Sequence, residues 1–330
     1  MRVGIFSEAR DLSGLPYDIQ FRRVGENTGN LMFIRAIERL FSPKFISPSA
    51  AVEGRREEFA DCDAFITTEL IWIREGEPAG SVADTLAAIG DRPLIPISVG
   101  LQTERCRPDF RIEPSTLRLL CELSERCVIG TRGYYTAEIL AKNGVKRVRP
   151  VGCPSLFYKS SYRPKRPRQV RRGVCGFSTL WRRLSAEEMR LLNYLMLNDM
   201  ALVEQTGLYD LEPHREFDHW LTARRRIFFS TREWDEFLDG FDFYMGMRFH
   251  GGVAAMQRGL PALFITSDSR TEELCDFFSL PALPLSRFDD TLPQGCYAEM
   301  GYPEDFIAAY PSHKENFREF ARENRLKVRL

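Results

Sequence analysis

Short, nearly continuous apolar runs recur along this chain, separated by longer segments whose apolar positions fall three and four apart. The runs are RVGIF (2–6), DAFITT (63–68), PLIPISVG (93–100), CVIGT (127–131) and RVRPVG (147–152). They continue with GVCGFST (173–179), MALVEQT (200–206), RIFFST (226–231), DFYMGM (242–247) and ALFIT (262–266). Such runs suit strands covered on both faces, as in parallel sheets. Between them, Asn30–Leu40 places Leu31, Ile34, Ile37 and Leu40 on one helical face, and Tyr134–Lys142 runs into Asn143-Gly144, a natural helix stop. This alternation predicts an α/β protein of doubly wound design.

The pattern breaks at SYRPKRPRQVRRG (161–173), which holds two prolines and six Lys or Arg with few apolar residues. A basic patch for an acidic partner is one reading; an exposed linker is the favoured one, since proline with clustered charge usually marks solvated chain. The expected division is therefore a first Rossmann-like domain at 1–160, a linker at 161–173 and a second Rossmann-like domain at 174–300. A charged helical segment at 301–330 would pack back on the first domain.

Composition narrows the function classes. Among 330 residues, 46 basic and 46 acidic side chains balance to a formal charge of zero. No global field therefore draws the chain to nucleic acid or an anionic membrane. The opening MRVGIFSEARD has an apolar run too short for a signal peptide, with Glu8 and Asp11 close behind, and no stretch has the length to span a bilayer. A cytoplasmic protein is expected, and no oligomeric state is read from the chain. None of the eight cysteines forms CxxC or a zinc-like cluster with histidine, so no metal is expected. Cys62, Cys153, Cys175 and Cys275 read as small buried hydrophobes.

Candidate chemistry lies in MGMRFHGGVAAMQRGLP (245–261). DFYMGM reads as a strand and GGVAAMQRG as a helix, which puts Arg248 and His250 at the carboxyl end of a strand, where open α/β sheets bind ligands. If the turn stays extended, residues two apart face the same way, toward the cleft. Gly251 and Gly252 would leave the helix N-terminus open to an anion. Arginine suits a phosphate or carboxylate, and histidine moves protons near neutral pH. Three other stretches lie at comparable junctions: Arg132 in VIGTRGYYTAEIL with GCPS following, the loop Gly25, Asn27, Thr28, Gly29 and Asn30, and Asp268 with Arg270 in ITSDSRTEEL. His214, His219 and His313 lack such surroundings and read as surface residues.

Taken in order, NTGN, TRGYYTAEIL–GV–VGCPS and GMRFHGGVAAMQRGLPALFITSDSRTEEL resemble the polysaccharide pyruvyl transferase family. The resemblance implies two Rossmann-like domains facing a cleft, like the GT-B glycosyltransferase architecture. It implies transfer of a pyruvyl group from phosphoenolpyruvate to sugar hydroxyls of a cell-surface polysaccharide or a lipid-linked precursor, with a cyclic ketal as product. It calls for no cofactor, and lipid-linked acceptors fit peripheral membrane association. His250 would then be the general acid, with Arg132, Arg248, Phe249, Gly251, Asp268 and Arg270 on the donor side. Glu26, Asn27, Asn30 and Glu69 are the acceptor-side candidates, Glu26 and Glu69 as base. The family's first loop often carries an acidic residue after its Gly-Asn pair; here Leu31 stands there.

Two rivals remain in the sequence. A glycosyltransferase of the same fold would need an acid to grip the donor ribose, for which Glu272 and Glu273 are available. A non-catalytic carbohydrate-binding relative is the other, against which Arg132, Arg248 and His250 are all retained. Trp181 and Trp220 could stack on sugar rings, although packing is the commoner role of a lone tryptophan.

Overall fold

Among the described residues, every paired strand runs parallel to its neighbour. The computed structural model describes residues 1–10, 12, 14–166, 169–178, 182–207 and 217–330, with Gly80 and Ser81 described by backbone alone. Trp181, His214 and Asp11 lie outside the described residues, as do Pro167 and Arg168 of the basic segment.

The first half is built on β1 (Val3–Phe6), β2 (Lys44–Ile46), β3 (Ala64–Thr67) and β4 (Leu94–Pro96), in the order β2-β1-β3-β4. A separate pair, β5 (Ile129–Thr131) and β6 (Val148–Pro150), is joined to it by a bridge between Val99 and Thr131. The second half is one six-stranded sheet of β7 (Gly173–Gly176), β8 (Ala201–Glu204), β9 (Arg225–Ile227), β10 (Phe243–Gly246), β11 (Ala262–Thr266) and β12 (Ala282–Pro284). Its order is β12-β11-β10-β7-β8-β9, so β10 and β7 lie at the centre. All four residues are buried in each of β3, β7, β8 and β10, which is why their sequences read as unbroken apolar runs. The molecule is thus α/β, with helices layered on two Rossmann-like parallel sheets.

The apolar pattern missed β2 and β12. Each is a three-residue edge strand that is only partly buried, and each includes a residue unusual in a strand, Lys44 and Pro284. The helix Asn30–Phe41 buries the predicted face of Leu31, Ile34, Ile37 and Leu40. The helix Tyr134–Lys142 ends at Asn143, followed by Gly144 at φ +87°, a conformation that glycine adopts without strain.

The basic segment is tied down where it begins. Tyr162 is buried against Phe306 and Tyr310, and the Lys165 amide donates to the Gly259 carbonyl at 2.9 Å. The helix Glu304–Glu323 lies against first-half residues: Arg149 pairs with Glu319 and Glu323, and Asn324 exchanges hydrogen bonds with the Val128 backbone.

Between the halves, Arg35 on the Asn30–Phe41 helix forms a two-pronged pair with Asp235, with Nη1 at 2.9 Å and Nη2 at 3.3 Å. Nη2 also bonds Gln257, and the guanidinium lies 4.3 Å from the Tyr158 ring centroid. Both ionic side chains are largely withdrawn from water, so removing one strands the other. Arg35→Ala is expected to lower stability by ~3 kcal/mol, read as a fall in the urea midpoint at neutral pH.

Candidate active site

The Arg-Phe-His-Gly stretch is built differently from the extended turn its sequence suggested. Arg248 is the N-cap, and the helix already runs from Phe249 to Gln257. Arg248 and His250 therefore diverge rather than point together. The amides of Gly251 and Gly252 both approach the Arg248 carbonyl, at 3.1 and 3.2 Å, and are not free for an anion. Both glycines serve packing instead: an added Cβ would stand 2.8 Å from the Tyr244 hydroxyl at Gly251 and 2.4 Å from the Phe264 ring at Gly252. Phe249 is a core residue, its ring 5.5 Å from that of Phe264. The two glycines and this phenylalanine press the helix onto the central strands, which fixes where His250 stands.

Arg248 runs under the sheet end. Its Nε donates to the Phe177 carbonyl at 2.6 Å and one Nη to Thr206 Oγ1 at 2.7 Å, with Glu204 at 3.9 Å. Arg132, from the end of β5, is buried and donates to the backbone carbonyls of Leu101 and Ile71. Its guanidinium lies across Gly100, where a Cβ would be 2.2 Å from Cζ. Burial pulls its pKa down to about 10, opposed by Glu273, so it keeps its charge at neutral pH. Arg270 has no hydrogen bond or ion pair to any described residue, and its buried Nε is unpartnered. Its charge nonetheless bears on Arg132, Arg248 and His250.

His250 is where the halves meet. Its Nε2 is 3.5 Å from Sγ of Cys153, in the GCPS turn, and its ring lies 5.6 Å from Phe33. Its Nδ1 is turned toward Gly29, where an added Cβ would be 3.1 Å away. That Cβ would also stand 2.4 Å from Oε1 of Gln205, so only glycine lets this loop approach so closely. The Thr28 amide donates to the Gln205 carbonyl at 2.8 Å, and Nε2 of buried Gln205 has no partner among the described residues. Burial first, then Arg270 and Arg132, push the His250 pKa down to about 3.

The remaining predicted residues divide between loop structure and caps. Glu26 is exposed at φ +56°, Asn27 Oδ1 accepts from the Gly29 amide at 3.0 Å, and Asn30 Nδ2 donates to the Val24 carbonyl at 2.8 Å. Asn27 and Asn30 thus shape the loop. Leu31, in place of an acid, is buried with Leu12, Val24 and Phe229. Glu69 is half-buried just beyond β3. Asp268 caps the helix Ser269–Phe278 through the Thr271 amide at 2.7 Å. Glu273, on that helix, reaches the first half and accepts from the Thr136 amide at 2.7 Å and its hydroxyl at 2.8 Å. Buried and so engaged, Glu273 is not available to grip a ribose, whereas Glu272 is exposed.

Of the other singled-out residues, Trp220 is interior, its Nε1 donating to Met200. His219 is exposed, but His313 is not a simple surface residue: it is half-buried, with its ring 5.0 Å from those of Phe277 and Phe278. The apolar face of the C-terminal helix, unread in the sequence, draws it in. Cys62, Cys153, Cys175 and Cys275 are all buried. Among the described residues, no group of three or more His, Cys, Asp or Glu could hold a metal ion, and no helix is long and apolar enough to cross a membrane. Cys153 and Gln205 went unassigned to the site by sequence reasoning, and Glu273 was read only as a ribose-gripping acid of the rival glycosyltransferase. The first two follow strand ends of parallel sheets, the signal that singled out Arg132.

The family model for polysaccharide pyruvyl transferase matches residues 80–269, more than half the chain and inclusive of Arg132, Cys153, Arg248 and His250. The chain belongs to the polysaccharide pyruvyl transferase family. No curated protein matches this pyruvyl transferase family member. Among solved structures, it is similar to Anabaena Alr3699/HepE in complex with UDP and glucose (13% identity, 97% of this chain and 99% of that one, TM-score 0.48). It is also similar to an S. aureus MnaA-UDP co-structure (12% identity, 99% and 92%, TM-score 0.45). Likeness at this distance carries nothing about activity.

Two expectations follow for the family site. Gly100→Ala would drive a methyl into the Arg132 guanidinium; it should cost about 1–3 kcal/mol through overpacking, read as a lowered melting temperature. His250 is held neutral by the fold, while the unfolded chain takes up a proton near its ordinary value of 6.5. Its contribution to stability is whole above that value and is lost as pH falls from 6.5 toward 3. Thermal melts at several pH values in this range should therefore show wild type losing more stability on acidification than His250→Gln.

Proposed function

We propose that this protein transfers a pyruvyl group from phosphoenolpyruvate to hydroxyls of a sugar in a cell-surface polysaccharide or its precursor, forming a pyruvate ketal. The observation that carries the reading is Arg270: a guanidinium whose buried Nε has no partner among the described residues, bearing on Arg132, Arg248 and His250 in a member of the pyruvyl transferase family. A carboxylate and a phosphate on one small frame complement such a cluster, and arginine binds both in its planar fork.

In this reading the donor's negative charges offset Arg270 and Arg132, the two cations that add to burial in depressing the His250 pKa, and so favour its protonated form. His250 then gives its proton to the methylene carbon, which becomes a methyl group. One sugar hydroxyl attacks the adjacent carbon, whose bond to the phosphate oxygen breaks. A second hydroxyl of the sugar attacks the same carbon and closes the ketal. Of the two hydroxyl protons released, one leaves with inorganic phosphate and one restores His250. General acid catalysis of this kind contributes about 10²–10⁴-fold. Glu69, half-buried at the carboxyl end of β3, is the acceptor-side acid we assign as base: it takes the proton of the first attacking hydroxyl and passes it to the departing phosphate.

Thermal-shift titration with phosphoenolpyruvate, UDP-sugars and GDP-sugars tests the donor. Stabilisation by phosphoenolpyruvate is expected; stabilisation by a nucleotide-sugar alone overturns the reading in favour of a glycosyltransferase. Arg270→Ala should weaken phosphoenolpyruvate binding by roughly 10- to 100-fold, the loss of a charge-assisted contact. His250→Ala should retain binding and abolish transfer.

A further inference from the structure

Trp72 is 57% exposed, the one exposed tryptophan among the described residues. It is nevertheless held in a rigid segment. Leu70 and Ile73 on either side are buried. The Gly100 amide donates to the Leu70 carbonyl at 3.0 Å, Ile73 donates to the Gly100 carbonyl at 2.8 Å, and Gln102 donates to the Ile73 carbonyl at 2.8 Å. Ile71, directly before the indole, supplies the carbonyl that receives the Arg132 guanidinium. The partner loop then meets the second half, since the Thr103 amide donates to Ser269 Oγ at 2.9 Å and the Ser269 amide to the Thr103 carbonyl at 3.1 Å. Trp72 thus stands on the first half one residue beyond the carbonyl that holds Arg132, in a segment paired with the loop that meets the second half.

The indole makes no hydrogen bond to any described residue, and Arg74 lies 5.3 Å from its centroid. Its neighbours Leu70 and Ile73 anchor the backbone without it, so the fold gains little from a tryptophan here. An aromatic face in water offers an apolar surface with a negative quadrupole. The face of a pyranose ring, lined by polarised C–H bonds, matches that surface, while its hydroxyls remain free at the ring edge for chemistry.

We propose that Trp72 is the stacking platform for a pyranose ring of the acceptor, orienting it toward the Arg132 side of the cleft. The assignment rests on the pyruvyl-transfer reading for the identity of the acceptor, but the sugar contact can be read without it. The probes are methyl hexopyranosides and their β-linked disaccharides, titrated into wild type, Trp72→Phe and Trp72→Ala while tryptophan fluorescence is followed. A saturable change in wild type that is absent from both variants supports the platform; the same change in the variants, or none in wild type, overturns it. Where transfer from phosphoenolpyruvate is measurable, Trp72→Ala should raise the acceptor KM about tenfold and leave the phosphoenolpyruvate KM unchanged. Trp72→Phe should restore most of that loss, and an unchanged acceptor KM in Trp72→Ala overturns the assignment. Failure of wild type to bind phosphoenolpyruvate would refute the donor reading alone, since the fluorescence titration still decides the sugar contact. Melting temperatures within a few degrees of wild type, expected for an exposed side chain, exclude misfolding as the cause.

Discussion

The site depends on positive charge that the protein orients without cancelling. Arg132 is held by backbone carbonyls, and Arg248 by a carbonyl and a hydroxyl with Glu204 at the edge of ion-pair range. The buried Nε of Arg270 has no such partner among the described residues. The two nearest acids from the Asp268–Glu273 stretch are committed to helix N-termini, Asp268 to its own helix and Glu273 to the helix Tyr134–Lys142. Carbonyl oxygens fix a guanidinium's direction while leaving its full charge to act on a ligand, an arrangement that raises the electrostatic demand of the empty-handed cations. The low basicity of His250 comes first from its burial, and the charges of Arg270 and Arg132 add to it by repelling its proton.

Neither half completes this arrangement alone. Arg132, Cys153 and the Gly29 loop come from the first half, and Arg248, His250 and Arg270 from the second. Their approach requires missing side chains: Gly100 makes room for Arg132, and Gly29 for Gln205 and His250. The Arg35–Asp235 pair ties the halves together, and Arg35 also bonds Gln257 at the end of the His250 helix. Packing that does not touch the candidate charges therefore helps set their geometry.

Much of this was legible in the sequence, for physical reasons that also mark where legibility ended. Central strands such as β10 are buried on both faces and announce themselves as apolar runs, whereas β2 and β12 are short, half-covered edges and do not. Strand ends located Arg132, Arg248, His250 and Arg270, because ligand-facing residues of parallel sheets collect there. What spacing could not supply was side-chain direction. Whether the helix began at Phe249 or at Gly251 decided that Arg248 turns beneath the sheet and His250 toward Cys153. Nor could it show that Glu273 would cross to the other half, since a buried acid on a helix reads like any polar residue until its partner is known.

That crossing carboxylate has a mechanical consequence. Separating the halves about a hinge would strip the Thr136 amide and hydroxyl of their acceptor and leave a buried helix end unsatisfied. Glu273 thus acts as a latch on the cleft: wide opening is opposed at the same helix whose chain begins beside Arg132. Substrates must then enter by the exposed rim, or the latch must release and re-form with each turnover.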